Sequence, residues 1–195
     1  MRLFVAMRPP TGAMRHAAAA VDAVRAAHTG PHWVPAERWH LTLAFYGEVA
    51  DSDVARTARR VGRAVTGSGS MDLALAGAGS FGRRALWLGV TGVPPDGAAG
   101  DDTGSIARLR ALARALSREP HPRAYRPHLT IARLRADTDP AAADAAVAAL
   151  AGYGGPTWRA TRVHLVHSQL GGSTGPVYDD LATWTLPPAT SADRS

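Results

Sequence analysis

Cysteine is absent from this 195-residue chain, and so is lysine: all 22 basic residues are arginine. The first absence excludes disulfides, thiolate metal sites and cysteine nucleophiles, and it agrees with a reducing, cytoplasmic setting, the location we expect. The second has two competing causes. Arginine's planar fork suits phosphate, but GC-rich coding also yields a chain rich in Ala, Gly and Arg, and we assign the overall bias to coding. Long hydrophobic runs are missing as well. None approaches the ~20 residues that span a bilayer, so no membrane association is expected. The apolar stretch Leu3 to Met7 falls short of a signal-peptide core of roughly 7 to 15 residues and reads as a first strand.

What is present describes a globular chain with 46% hydrophobic and 19% charged residues, long enough for one sizeable domain or two small lobes sharing a core. Helical spacing predicts helices from about Gly12 to His28 with Thr11 as cap, from Asp53 to Val65 with Asp51 or Ser52 as cap, and from Ser105 to Arg118. A fourth starts at Asp139-Pro140, since proline is favoured at the first helical position. Strands are expected at Leu3 to Met7, Trp39 to Tyr46, Met71 to Ala78, Ala85 to Val90, Arg126 to Leu134, Thr157 to Ser168 and Val177 to Leu186. The Gly-, Pro- and Asp-rich segment Thr91 to Gly104 reads as the longest loop. We expect a single α+β domain over residues 1–186, bilobal and monomeric, with a disordered tail at 187–195.

The chemistry concentrates in a repeat. Arg38-Trp39-His40-Leu41-Thr42-Leu43-Ala44 recurs as Arg126-Pro127-His128-Leu129-Thr130-Ile131-Ala132. Composition alone supplies roughly 0.6 His-x-Thr triplets, so the triplet is weak and the extended match carries the signal. Period-two alternation puts Arg, His and Thr on one strand face and the aliphatics on the other. Two histidines are the minimal equipment for acid–base catalysis near neutrality: one ring takes a proton and the other gives one. Thr42 and Thr130 can donate to anionic oxygens beside them, which suits a phosphodiester. Arg126 shares the parity of His128, and the proline after it favours extended backbone, so its guanidinium should enter the same cleft. Arg38 is the equivalent in the first copy.

Around these motifs the chain resembles the 2H phosphoesterase superfamily, and most closely its RNA 2',3'-cyclic phosphodiesterase branch, the 2'-5' RNA ligase or LigT-like proteins. The resemblance rests on ordered blocks: Met1-Arg2-Leu3-Phe4-Val5-Ala6, Trp33-Val34-Pro35, His40 to Val49, Leu86-Trp87-Leu88-Gly89-Val90, Tyr125 to Arg133, Ser168-Gln169-Leu170 and Gly175-Pro176-Val177-Tyr178. It implies two pseudo-symmetric antiparallel sheets with outer helices, and a central cleft lined by one His and one Thr from each lobe. It also implies metal-independent opening of RNA-terminal or nucleoside 2',3'-cyclic phosphate to a 2'-phosphomonoester, with 2'-5' ligation as a reverse reaction and no cofactor. By the same resemblance His128 is the proton acceptor and His40 the proton donor, an order that two nearly identical motifs do not reveal. The departures are Arg38 where Asn is common, Trp39 and Tyr46 where Leu is common, and Asp179-Asp180 in a stretch usually poor in acid.

Thr42, Thr130 and Arg126 are then the candidate phosphate-binding residues. Arg133 and Phe45, just past the motifs, are candidates for flanking a base by stacking, although the parity of Phe45 opposes that of His40 and favours packing. His164 and His167 lie three apart, on opposite strand faces, and are not expected to share a metal. The competing readings are a non-catalytic RNA-end or nucleotide-binding module, which would leave a cyclic phosphate intact, and a His-carboxylate metal hydrolase, which a chelator would stop.

Overall fold

A computed structural model describes residues 1–28, 30–93, 104–118, 125–169, 171 and 175–189. The described elements are strands β1 (Arg2–Met7), β2 (His32–Trp33), β3 (Leu41–Glu48), β4 (Met71–Ser80), β5 (Ala85–Gly92), β6 (His128–Arg133), β7 (Trp158–Ala160), β8 (Arg162–Gln169) and β9 (Val177–Thr185), with helices α1 (Thr11–Ala27), α2 (Asp51–Thr66), α3 (Gly104–Leu116) and α4 (Pro140–Leu150). None of the helices is long and apolar enough to cross a membrane.

All strand pairs are antiparallel, and the order β7-β4-β5-β6-β3-β1-β8-β9 forms one sheet, with β2 added beside β6. The two expected sheets are therefore the two halves of one hydrogen-bonded surface. Their seam is a single pair, Leu41 with Leu129, the residues between His and Thr in the two motifs. Four strands extend outward on each side, so β3-β1-β8-β9 and β6-β5-β4-β7 mirror each other. Helix α2 covers β8 and β9, α4 covers β4 and β5, and α3 lies on β3, β4 and β5, behind the seam.

Binary patterning accounts for this layering. Leu3, Val5 and Met7 of β1 join Leu41, Leu43, Leu129 and Ile131 in the main core, where they meet Leu109, Leu112 and Leu116 of α3. Phe4 and Ala6 point the other way, into a small second cluster with Val166 and Tyr178. Strand β1 is thus buried on both faces, which explains its unbroken apolar run. Each large apolar side chain fully buried here stabilises the fold by roughly 1.5 to 3 kcal/mol.

Several boundaries differ from the sequence-based expectation. The first motif strand begins at Leu41, so His40 precedes it, whereas His128 opens β6. Thr11 and Asp51 are first helical residues, behind Pro10 and Ala50 as caps. Asp139 does cap α4, its side chain accepting from the Ala141 amide at 2.9 Å. The expected strand over Thr157 to Ser168 breaks at Thr161: β7 pairs with β4 at one edge of the sheet and β8 pairs with β1 and β9 at the other. Pro187 accepts from the Ser70 amide at 2.8 Å. Most of the expected long loop, 94–103, and the tail from 190 on lie outside the described residues.

Candidate active site at the seam

The antiparallel pairing of Leu41 with Leu129 turns His40 toward the Thr130 end of β6 and Thr42 toward the His128 end, so the two motifs meet head to tail. Both are bent in the same place. In β3, Thr42 faces Ala6 and Ala44 faces Val5, which leaves Leu43 as an extra residue. In β6, Thr130 faces Trp87 and Ala132 faces Leu86, which leaves Ile131 extra. A β-bulge after each threonine changes the facing of the residues that follow it; in β3 a second shift, at Tyr46, ends that change. This corrects the parity argument against Phe45: the bulge brings it round to the side of Phe4, with ring centroids 5.7 Å apart and the ring 65% exposed. Arg133 is its equivalent in the second motif and is also exposed.

The histidines are held alike. Nδ1 of His40 lies 2.8 Å from the Arg38 carbonyl, and Nδ1 of His128 lies 2.7 Å from the Arg126 carbonyl. A carbonyl only accepts, so Nδ1 carries the proton and donates in both rings; Nε2 is the basic nitrogen of each neutral ring. Aromatic side chains fix the planes. His40 packs on Phe4 at 4.8 Å and edge-on against Tyr178 at 5.2 Å, while His128 meets Phe81 edge-on at 4.7 Å and Trp87 at 6.5 Å.

Burial sets the protonation. Desolvation holds His40 far below an ordinary imidazole, at about 4; the bond to Arg38 O opposes this, and the charges of Arg8, Arg133 and His128 add to it. His128 is lowered too, again mainly by burial, with Arg133 and Arg126 contributing. Both rings are therefore neutral at pH 7 in the free protein, in contrast to the split expected from an unperturbed imidazole. The charge of Arg133 bears on both rings.

Arg126 lays its guanidinium over the Trp87 ring at 4.5 Å, a cation–π contact next to His128. Trp87 in turn sits against Gly79, its register partner on β4, so closely that a Cβ there would lie 2.3 Å from the ring. Gly79→Ala should therefore force the indole aside, costing about 1 to 3 kcal/mol of stability and dislodging Arg126. Thermal denaturation of that variant, together with its affinity for inorganic phosphate, checks both consequences.

On the other side the cleft deepens into a cavity of about 380 Å3 next to His40, walled by Arg8, Arg38, Trp39, Tyr178 and the carboxylates Glu37, Asp179 and Asp180. Arg8 is locked to Asp180 by two bonds of 2.8 Å, and His164 reaches the same carboxylate at 2.9 Å. The Arg8 pairing holds the Asp180 carboxyl below its usual range. Tyr125, just before the second motif, donates its hydroxyl to Thr42 O at 2.9 Å and so ties the two motif segments together. Burial raises this phenol's pKa, which keeps it a donor.

The structure thus gathers His40, Thr42, His128, Thr130, Arg126, Arg133 and Phe45 around one seam. Sequence reasoning missed Arg8, Phe4, Phe81, Trp87, Tyr125 and Tyr178 as parts of it. Arg8 was within reach, because Phe4, Ala6 and Arg8 continue the alternation of β1. Among the described residues no three His, Asp or Glu side chains come together as a group able to hold a metal ion.

Comparison with known proteins agrees with this architecture. A profile of the 2'-5' RNA ligase superfamily matches residues 13–172. A Methanothermobacter thermautotrophicus protein named RNA 2',3'-cyclic phosphodiesterase is 26% identical over 95% of this chain and 99% of its own length. A Thermotoga maritima protein of the same name is 33% identical over 46% of this chain, and that match spans 50% of the relative. Among solved structures, E. coli LigT in complex with 3'-AMP superposes with a TM-score of 0.66 at 26% identity, covering 95% of this chain and 97% of LigT. The Thermus thermophilus protein TT0787 shares the fold with a TM-score of 0.68 at 24% identity, over 97% of this chain and 100% of that one. The chain belongs to the 2'-5' RNA ligase superfamily.

Proposed function

We propose that the protein hydrolyses 2',3'-cyclic phosphate, on RNA ends or on nucleosides, to a 2'-phosphomonoester without a metal ion. The observation that carries this reading is the pairing of the two motifs at the seam. It offers two Nε2 atoms in matched tautomers, two threonine hydroxyls and the charges of Arg126 and Arg133 to a single phosphoryl group. The relatives named RNA 2',3'-cyclic phosphodiesterase support it.

In the proposed step His128 Nε2 takes a proton from water as its oxygen bonds to phosphorus. The P–O3' bond breaks, and protonated His40 gives its Nε2 proton to the departing 3'-oxygen. The products are a 2'-phosphate and a 3'-hydroxyl, and solvent then resets both rings. Thr42, Thr130 and Arg126 hold the non-bridging oxygens. His40 is assigned as donor because the cavity that has room for the nucleoside opens on its side, and the 3'-oxygen leaves toward the nucleoside. With the 5'-hydroxyl of a second RNA in place of water, the same transfers give a 2'-5' linkage. Phe45 and Arg133, out on the rim, offer stacking to a neighbouring base.

With its pKa at about 4, His40 is protonated in only about one free molecule in a thousand at pH 7. The negative charge of a bound phosphodiester favours the protonated ring, so substrate entry and proton uptake are linked. Two consequences follow for the pH profile. Both histidines are depressed, so kcat/KM should peak below pH 6.5 and fall about tenfold per unit on the alkaline side, as the donor loses its proton. The kcat profile, which reports the occupied site, should lie at higher pH. Superimposable profiles centred near pH 7 would contradict this linkage.

The test of the function is turnover of an oligoribonucleotide ending in 2',3'-cyclic phosphate, with EDTA present. Hydrolysis that survives the chelator is expected. Binding without hydrolysis would make the protein an RNA-end module, and loss of activity in EDTA would point to a metal.

A further inference from the structure

Three carboxylates border the cavity beside His40, close to where an anionic phosphate would sit. All three are exposed, and they differ in whether a protein donor already occupies them. Asp180 is held by Arg8 and His164, and Asp179 accepts from Gln169 Nε2 at 2.5 Å. Glu37 is the one for which the described residues provide no such partner. Its side chain is exposed, and its backbone is firmly placed. It sits in a 3-10 turn, Ala36–Arg38, closed by hydrogen bonds of 3.0 Å from the Arg38 N–H to Pro35 O and from the Trp39 N–H to Ala36 O. The turn is pinned by Trp39, which is 4% exposed and donates its indole N–H to Val34 O at 2.8 Å.

A volume of about 380 Å3 falls at the small end of ligand clefts, which span roughly 300 to 1,000 Å3. The Glu37 carboxylate at its wall accepts hydrogen bonds only. Adenine and cytosine each present an amino group beside a ring nitrogen lone pair, which a carboxylate repels, and uracil presents one N–H between two carbonyls. Guanine alone offers two adjacent donors, N1–H and the 2-amino group, matching both carboxylate oxygens. We propose that this cavity takes the base of the nucleotide bearing the cyclic phosphate and that Glu37 selects guanine there.

The inference rests on the phosphodiesterase reading, and the experiment separates the two. Turnover of the four 2',3'-cyclic mononucleotides is compared in wild type, Glu37→Ala and Glu37→Gln, alongside calorimetric binding of guanosine and uridine 2'-monophosphates. A bidentate contact to a base is worth about 1 to 3 kcal/mol, so guanosine should exceed uridine in kcat/KM by roughly 5- to 150-fold. Glu37→Ala should bring that ratio close to 1, and Glu37→Gln should leave an intermediate value. Equal kcat/KM for all four substrates, or a ratio that survives Glu37→Ala, overturns the base assignment while leaving the phosphodiesterase standing. Preferential binding of the guanosine product without turnover supports the base assignment and overturns the phosphodiesterase. Equal binding without turnover overturns both.

Discussion

His40→Ala and His128→Ala should each lower kcat for 2',3'-cyclic phosphate hydrolysis by about 10² to 10⁴, the usual worth of a positioned acid or base. KM should change little, because Thr42, Thr130 and Arg126 rather than the imidazoles are assigned to the phosphate. The fold should tolerate both changes. Each ring sits at the cleft wall, and the one bond it makes leaves a carbonyl, Arg38 O or Arg126 O, that water can satisfy. Removing both rings should cost scarcely more than removing one, since a donor without an acceptor completes no cycle. Steady-state kinetics with circular dichroism on the three variants checks this. Wild-type turnover in either single variant would contradict a two-histidine mechanism.

Arg126→Ala is expected to reduce kcat/KM by roughly 10- to 150-fold, from the loss of one charged hydrogen bond worth about 1.5 to 3 kcal/mol. Its guanidinium is exposed apart from the Trp87 stack, so stability should fall by no more than about 1 kcal/mol. Arg126→Lys should not restore the rate. An ammonium keeps the charge but lacks the planar fork, which can lie flat on the indole while its edge faces the phosphate. Inhibition by inorganic phosphate should weaken in parallel in both variants. A lysine variant with full activity would show that charge alone suffices and that the Trp87 platform is incidental.

Much of this site was legible before the structure, for a physical reason. Strand alternation fixes which side chains share a face, so Arg126, His128 and Thr130 could be placed together from their spacing. The repeat then predicted a second set opposite them. What spacing could not reveal was a change of register. Phe45 looked inward to the core because the bulge at Leu43 has no signature of its own in Thr42-Leu43-Ala44. The break at Thr161 between β7 and β8 was hidden for a similar reason: a β-rich run gives no sign that its two halves pair at opposite edges of the sheet. The aromatic supports of the histidines come from strands distant in sequence, Phe4 from β1, Trp87 from β5 and Tyr178 from β9. Only tertiary structure brings them to the rings. Desolvation is likewise a property of that packing, and it moved His40 from an ordinary imidazole to about 4.

The two copies remain alike in tautomer and in bulge, yet their surroundings differ. His40 has the cavity, Arg8 and Tyr178, whereas His128 has Arg126 stacked on Trp87 and Phe81. In the mechanism we propose, that asymmetry lets matched motifs hold opposite protonation states once an anion is bound. The most direct test is to hydrolyse a 2',3'-cyclic mononucleotide with the wild-type protein in EDTA and to identify the monophosphate by 31P NMR. Accumulation of the 2'-phosphate alone is expected. A 3'-phosphate, or no product, would contradict it.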